Sequence, residues 1–257
     1  MPPSQDTAMR RWLPLHPFPM KTAFRRCFLV NFAVDPLVLR SHLAGHLEPE
    51  VYHGRGYVSI VIAEMLRMRP EFLPSVLGVT YTQVVYRAVV RCGRESGVTF
   101  LRSDANNELM VRLGNALTFF RFHSAFIGWR CAGNILEFSL EPKDGSKARI
   151  LARFDLQAAD SARMPPTSRF ENLESASAFL TELYTAFGAK RDDGRVEVVR
   201  LARGPWRSKV TLDRAGVYEA MQSGLLFSRS QAELDSVFFV ANVPYRWNPL
   251  VMERLAA

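Results

Sequence analysis

Three of the chain's five histidines fall in one stretch, HLAGHLEPEVYH (residues 42–53), together with Glu48 and Glu50. Histidine and glutamate at close spacing are the usual material of a zinc centre. On a continuous helix His42 and His46 would stand one turn apart, a spacing zinc accepts. The local sequence interrupts that helix. Gly45 is placed to end it, and His46 falls beyond the end with Pro49 close behind. His53 precedes Gly54 in a turn signal. The position after the first histidine, where a zinc protease carries its catalytic glutamate, is Leu43. His42 would complement the helix dipole in the last turn. The stretch therefore predicts a helix end and a turn, with no metal and no cofactor.

Arginine is the other abundant chemical group. Of 33 basic residues 28 are Arg, and the formal net charge is +8. These arginines are scattered through apolar segments such as VVYRAVVRC and RFHSAF, and no run of five like charges occurs. No helix-turn-helix, zinc-finger or RNP signature accompanies them, so no nucleic-acid partner is expected. With 257 residues, 48% hydrophobic and 23% charged, the chain can bury a sizeable core. No apolar run approaches the ~18 residues of a membrane span, and no membrane partner is expected. The N-terminus lacks the apolar h-region of a secretory signal. Cys27, Cys92 and Cys131 are widely spaced, with no CxxC pair. Buried free thiols in the reducing cytoplasm are the expectation.

The elements that would position a site are mainly strands. AFRRCFLVNFAV (23–34), GYVSIVIAEMLRM (56–68), TYTQVVYRAVVRC (80–92) and GVTFLRSD (97–104) read as strands. HSAFIGWRCAGNILEFSLEP reads as two more, joined at Gly133-Asn134, and Asp144-Gly145 leads into KARILARFDLQ. RVEVVRLARG, WRSKVTL and DSVFFVANVPY complete the set. Asp35 and Pro36 begin a short helix. NNELMVRLGNALTFF (106–120) has apolar residues at helical spacing. LESASAFLTELYTAFG (173–188) and DRAGVYEAMQSG also read as helices. The pattern predicts an α+β fold, organised around a large, mostly antiparallel sheet or barrel with short peripheral helices. Residues 1–20 read as an N-terminal extension and 21–257 as a single domain.

No GxSxG elbow, Walker loop, GxGxxG or HExxH is present. Residues alone stop at an α+β domain with an Arg-rich interior or pocket.

Several segments together resemble the uncharacterised DUF2071 family, also called YqjF-like. They are VYHGRGYVSIVIAEM (51–65), TYTQVVYRAVVRCGRESGVTFLRSDANN (80–107), FLTELYTAFG (179–188) and GPWRSKV (204–210), in the family's order. The resemblance implies an acetoacetate decarboxylase-like fold, a closed, cone-shaped β-barrel with an internal pocket. Such decarboxylases form a Schiff base on a lysine whose pKa a second lysine lowers, a case the general chemistry of activated amines already includes. Their lysine pair follows a helix like residues 106–119, and the comparable segment here is Phe119-Phe120-Arg121-Phe122-His123. No lysine occurs between Lys21 and Lys143. A guanidinium stays protonated and cannot replace the nucleophile. The family-related Tyr-x-Glu motif is Tyr81-Thr82-Gln83 here, and Gln cannot transfer a proton at neutral pH. Where the family often has His before Pro-Trp, this chain has Arg203-Gly204-Pro205-Trp206, which leaves Trp206 a core residue.

Under that resemblance Gln83, Arg87, Arg121 and His123 would face the interior, with Arg positioned to bind a carboxylate. Phe119, Phe120, Phe122 and Trp129 would supply apolar walls, although helical spacing reads Phe119 and Phe120 as core. Arg87 pairing with Asp104 or Glu108 is the structural alternative. The expected function is binding of a small anionic or carbonyl-bearing ligand at Gln83, Arg87, Arg121, Phe122 and Trp129. The enzyme alternative uses His123 with Asp104 or Glu108 for acid–base chemistry. A filled barrel with a structural or partner-binding role is the third reading. Each of them allows a homo-oligomer.

Overall fold

The computed structural model describes residues 17–156, 164–204, 206, 209–210 and 231–254. Among the described residues strand predominates, at 57%, and helices are few. The first strands are β1 (Met20–Val34), β2 (Glu48–Pro49), β3 (Val51–Tyr52), β4 (Arg55–Pro70), β5 (Val79–Cys92) and β6 (Glu95–Ala105). β7 (Phe122–Ala132), β8 (Ile135–Pro142) and β9 (Ile150–Asp155) come next. The last are β10 (Thr185–Lys190), β11 (Val196–Arg203), β12 (Lys209–Val210), β13 (Ala232–Trp247) and β14 (Val251–Glu253). Helices α1 (Pro36–Ser41), α2 (Glu108–Leu117) and α3 (Leu173–Leu180) interrupt them. None is long and apolar enough to cross a membrane.

The pairing order β5-β4-β1-β13-β11-β10-β6 closes on itself through a β5–β6 pairing, giving a ring of seven strands. Six of its joins are antiparallel and the β6–β10 join is parallel. Strands in this ring are apolar on both faces because both are covered, so the sequence shows near-continuous hydrophobic runs. On β1, Cys27 and Leu29 belong to an inner cluster, while Phe28 and Val30 belong to an outer one. The outer cluster is covered by β7, β8 and β9, where Phe154 stacks on Phe28 with centroids 3.8 Å apart.

Several expected boundaries move. The helix begun by Asp35, whose carboxylate accepts from the Leu37 and Val38 N–H groups, ends at Ser41, short of Gly45. The helix expected over 173–188 ends at Leu180, and Thr185–Lys190 instead pairs with β11. Tertiary pairing overrides local propensity there. The helix expected in DRAGVYEAMQSG lies outside the described residues. Cys27 and Cys92 are buried free thiols, whereas Cys131 is exposed.

One irregularity decides which side chains meet. Tyr86 opposes Arg102 and Arg87 opposes Phe100, so Leu101 is an extra residue in β6. Such a bulge reverses the faces of the residues beyond it. Arg102 and Asp104 consequently join Tyr86 and Val84 on the outer face. There the Arg102 guanidinium grips Asp104 at 2.6–3.0 Å and reaches Asp144 at 2.9 Å. His123 Nδ1 lies 3.1 Å from the same Asp144 carboxylate. The cluster fastens the outer strands to the ring.

This packing can be tested at two positions. A Cβ on Gly97 would sit 2.5 Å from the Thr185 carbonyl oxygen, beside the single Ala186–Val98 register pair joining β6 to β10. Gly97→Ala should cost about 1–3 kcal/mol in urea unfolding, because backbone cannot yield as a side chain can. The second position concerns pH. Burial pushes the Asp144 carboxyl up, but hydrogen bonds from Ser146 and Arg102 outweigh it and hold it below the usual carboxylate range. A depressed carboxyl adds stability above its unfolded pKa of about 4 and loses it as pH falls further. Asp144→Asn should cost on the order of 1 kcal/mol at pH 7, given partial solvent screening. The gap between variant and wild type should shrink between about pH 4 and pH 2.

Candidate functional site

The inner face of β5 presents Tyr81, Gln83, Val85 and Arg87, every second residue of a strand. Inside the ring Gln83 and Arg87 line a cavity of about 40 Å³ with Phe24, Phe100, Trp206, Tyr245 and Trp247. A water needs roughly 10–15 Å³ by the same kind of measure, so the space suits about three or four waters or one carboxylate.

Arg87 is 7% exposed. Its Nη2 donates to the Leu180 carbonyl at 2.6 Å, and its Nε is buried without a partner among the described residues. A second guanidinium, Arg203, donates to the Thr181 and Gly204 carbonyls. It also lies over the rings of Trp206 (4.5 Å) and Tyr184 (4.8 Å). Leu180 ends α3 and Thr181 is its C-cap. Helix C-terminal carbonyls are unsatisfied and carry partial negative charge. The end of α3 thus meets both cations.

Among the described residues neither arginine has a carboxylate within ion-pair distance. The carboxylate felt at Arg203 is the exposed Glu182. Burial, with Arg203's charge adding, pulls the Arg87 pKa down to about 10, so it stays charged at neutral pH. Burial pushes the neighbouring Cys27 thiol up to about 12 and raises Tyr245, leaving both neutral. The Trp206 Nε1 is a second buried donor without a partner among the described residues. The cavity therefore gathers positive charge and spare N–H donors, and no described residue brings an anion to receive them.

Gln83 and Trp247 also line a wider, apolar groove of about 340 Å³, walled by Met20, Met68, Leu73 and Leu77 with Leu109 and Leu113 of α2. Tyr81 donates to Gln83 Oε1 at 3.2 Å, which orients the amide between the two spaces.

Of the residues singled out from sequence, Gln83 and Arg87 meet at this cavity. Phe122 lies in the groove wall, packed so close to Gly114 that an added Cβ there would come within 2.4 Å of its ring. Arg121 goes elsewhere. At φ 53° its backbone is left-handed, and its exposed side chain lines a separate pocket of about 140 Å³ with His42, Phe119 and Glu197. Trp129 is on the outer face, where Nε1 donates to Thr82 at 3.0 Å and Arg26 covers the ring at 4.6 Å. Asp104 and His123 are also outside, register partners on β6 and β7. His123 meets Asp144 rather than Asp104, because Arg102 occupies the Asp104 carboxylate. The anticipated Arg87 pairing with Asp104 or Glu108 does not form: Glu108 binds Ser124 and Lys143. The Leu101 bulge accounts for this partition.

The three clustered histidines also separate. His42 caps α1, His46 Nε2 lies 3.0 Å from the Gly188 carbonyl, and His53 stacks on Tyr52 at 4.4 Å. Sequence reasoning missed Arg203, Tyr245 and Trp247. The signal was the two-residue alternation Val199, Leu201, Arg203 on β11 and Tyr245, Trp247 on β13. That alternation gives a common face but does not say which face is inner.

Solved structures share this fold at low identity. Acetoacetate decarboxylase from Legionella pneumophila aligns with TM-score 0.60 and 14% identity, covering 100% of this chain and 92% of that one. The enduracididine biosynthesis enzyme MppR, complexed with pyruvate, gives 0.57 and 10%, covering 94% and 93%. An acetoacetate decarboxylase-like enzyme from Sphingomonas wittichii RW1 gives 0.58 and 12%, covering 95% and 98%. No curated protein sequence matches the chain. The DUF2071 family, described as an uncharacterized conserved protein, matches residues 21–244. The match takes in nearly all of the ring strands and the Tyr81–Arg87 row, and the chain belongs to the DUF2071 family, built on the acetoacetate decarboxylase-like fold.

Proposed function

We propose that the protein binds a small molecule bearing a carboxylate or polarised carbonyl inside the strand ring, without forming a Schiff base to it. The observation that carries this reading is the pair of buried donors, Arg87 Nε and Trp206 Nε1, unpartnered in one cavity that no described carboxylate lines. A buried cation without an anion is costly, and an oxyanion ligand removes that cost. Arg87 would bind it through its planar fork, with Gln83 and Trp206 as further donors. The fold neighbour complexed with pyruvate supports a keto acid as the first ligand to try.

The chain's five lysines are Lys21, Lys143, Lys147, Lys190 and Lys209. Lys21, Lys143, Lys147 and Lys190 do not line the cavity or the groove. By the family resemblance, Gln83 stands where the decarboxylases carry a glutamate. Both points favour binding over amine catalysis. The acid–base reading through His123 has a real contact, 3.1 Å to Asp144, but on the opposite side of the sheet from the cavity. A wholly filled interior is the remaining competitor. A cytoplasmic setting fits the buried Cys27 and Cys92 thiols.

Calorimetric titration with pyruvate and acetoacetate tests the proposal. Arg87→Lys keeps the positive charge but loses the fork, and should weaken binding at least tenfold. His123→Gln and Arg121→Gln should bind as wild type does. Equal affinity for wild type and Arg87→Lys would refute the assignment. Borohydride treatment with either keto acid should leave the protein unmodified, and a lysine adduct would restore Schiff-base chemistry.

A further inference from the structure

The apolar groove adjoins the charged cavity, and the two share Gln83 and Trp247. Its walls include two residues that a helix would ordinarily bury. Leu109 is 55% exposed and Leu113 is 44% exposed, although the apolar spacing of α2 puts both on its hydrophobic side. Leu77, on the facing turn, is 62% exposed. An open apolar surface of this kind, next to a buried cation, has amphipathic complementarity.

We infer that the ligand is itself amphipathic: an aliphatic carboxylate of medium length, with its head at Arg87 and its tail in the groove between α2 and Leu73–Leu77. This rests on the head-group reading above and adds the tail. Gln83 borders both spaces, so a carboxylate held between Gln83 and Arg87 in the small cavity leaves its alkyl chain to run past Tyr81 into the groove. Tyr81, Gln83 and Arg87 line that path in order. Each methylene taken from water should add about fourfold in affinity. The tail, rather than the shared carboxylate, would then select the ligand.

The probes are decanoate below its micelle concentration, acetate, pyruvate and 1-decanol, titrated into the full chain. Intrinsic tryptophan fluorescence can report binding, since Trp206 and Trp247 line the cavity. Decanoate should bind at least a hundredfold more tightly than acetate and at least tenfold more tightly than decanol. Leu113→Asp, at a partly exposed position, should weaken decanoate at least tenfold and far more than it weakens pyruvate. Arg87→Lys should weaken both acids. If pyruvate binds but decanoate does not, the tail is overturned and the head-group site stands. That result is also expected if the chain's own N-terminal residues or a second copy fill the groove. If decanol matches decanoate and Arg87→Lys has no effect on any probe, both readings are overturned. If no probe binds a protein with a wild-type unfolding transition, both are likewise overturned.

Discussion

Arg87 is buried inside the ring, the half-buried Arg203 stands near it, no described carboxylate lies beside either, and much of the architecture answers that fact. The effective penalty for burying an unpaired ion is several kcal/mol, against a total stability of about 5–15 kcal/mol for a domain. Arg87 and Arg203 also repel one another across a low-dielectric space. The offset comes from the backbone. Helix α3 stops with its free carbonyls aimed at both cations, Leu180 to Arg87 and Thr181 to Arg203. A capping box of Asn172 and Ser175 fixes its other end. Had the helix continued through Tyr184, as its sequence suggests, those carbonyls would have been consumed by intrahelical bonds. The early stop and the passage of Thr185–Lys190 into the ring are one event. It completes the parallel join to β6 and supplies partial negative charge to the interior.

Aromatic rings provide the rest of the compensation. Arg203 lies between Trp206 and Tyr184, so part of its charge is met by π faces that need no counter-ion. The demand they leave unmet is directional: the Arg87 Nε and the Trp206 Nε1, donors with no acceptor among the described residues. Most buried donors are satisfied, and these two belong to side chains that line the same cavity. Cys27 and Tyr245 do not alter the balance, because burial keeps both protonated.

The strands were legible in the sequence because both faces of the ring are covered, which writes long apolar runs into β1, β4 and β5. The same property hid the site. When inner and outer faces are both hydrophobic, alternation shows which residues share a side but not which side is inside. In β6 even parity fails. Phe100, Arg102 and Asp104 alternate as if on one face, yet the Leu101 bulge sends Phe100 inward and the other two outward. The acid–base alternative set His123 with Asp104 or Glu108. Asp104 and His123 are indeed register partners, on the wrong side of the sheet for Gln83 and Arg87. The groove was hidden differently: helical spacing marks Leu109 and Leu113 as apolar, but only the tertiary arrangement shows that nothing in the described chain covers them.

A buried guanidinium is chemically unlike a buried amine, and the difference bears on what this interior can do. A cluster of buried positive charge is the field that depresses the pKa of a lysine and frees it as a nucleophile. Here the charge is carried by guanidinium groups, which stay protonated when burial pulls them down and offer donors rather than a lone pair. The cluster is thus strongly suited to holding an oxyanion and poorly suited to attacking a carbonyl. Gln83 points the same way, since an amide can direct a hydrogen bond at an acceptor without taking up its proton. The proposed function rests on that difference between a guanidinium and an amine.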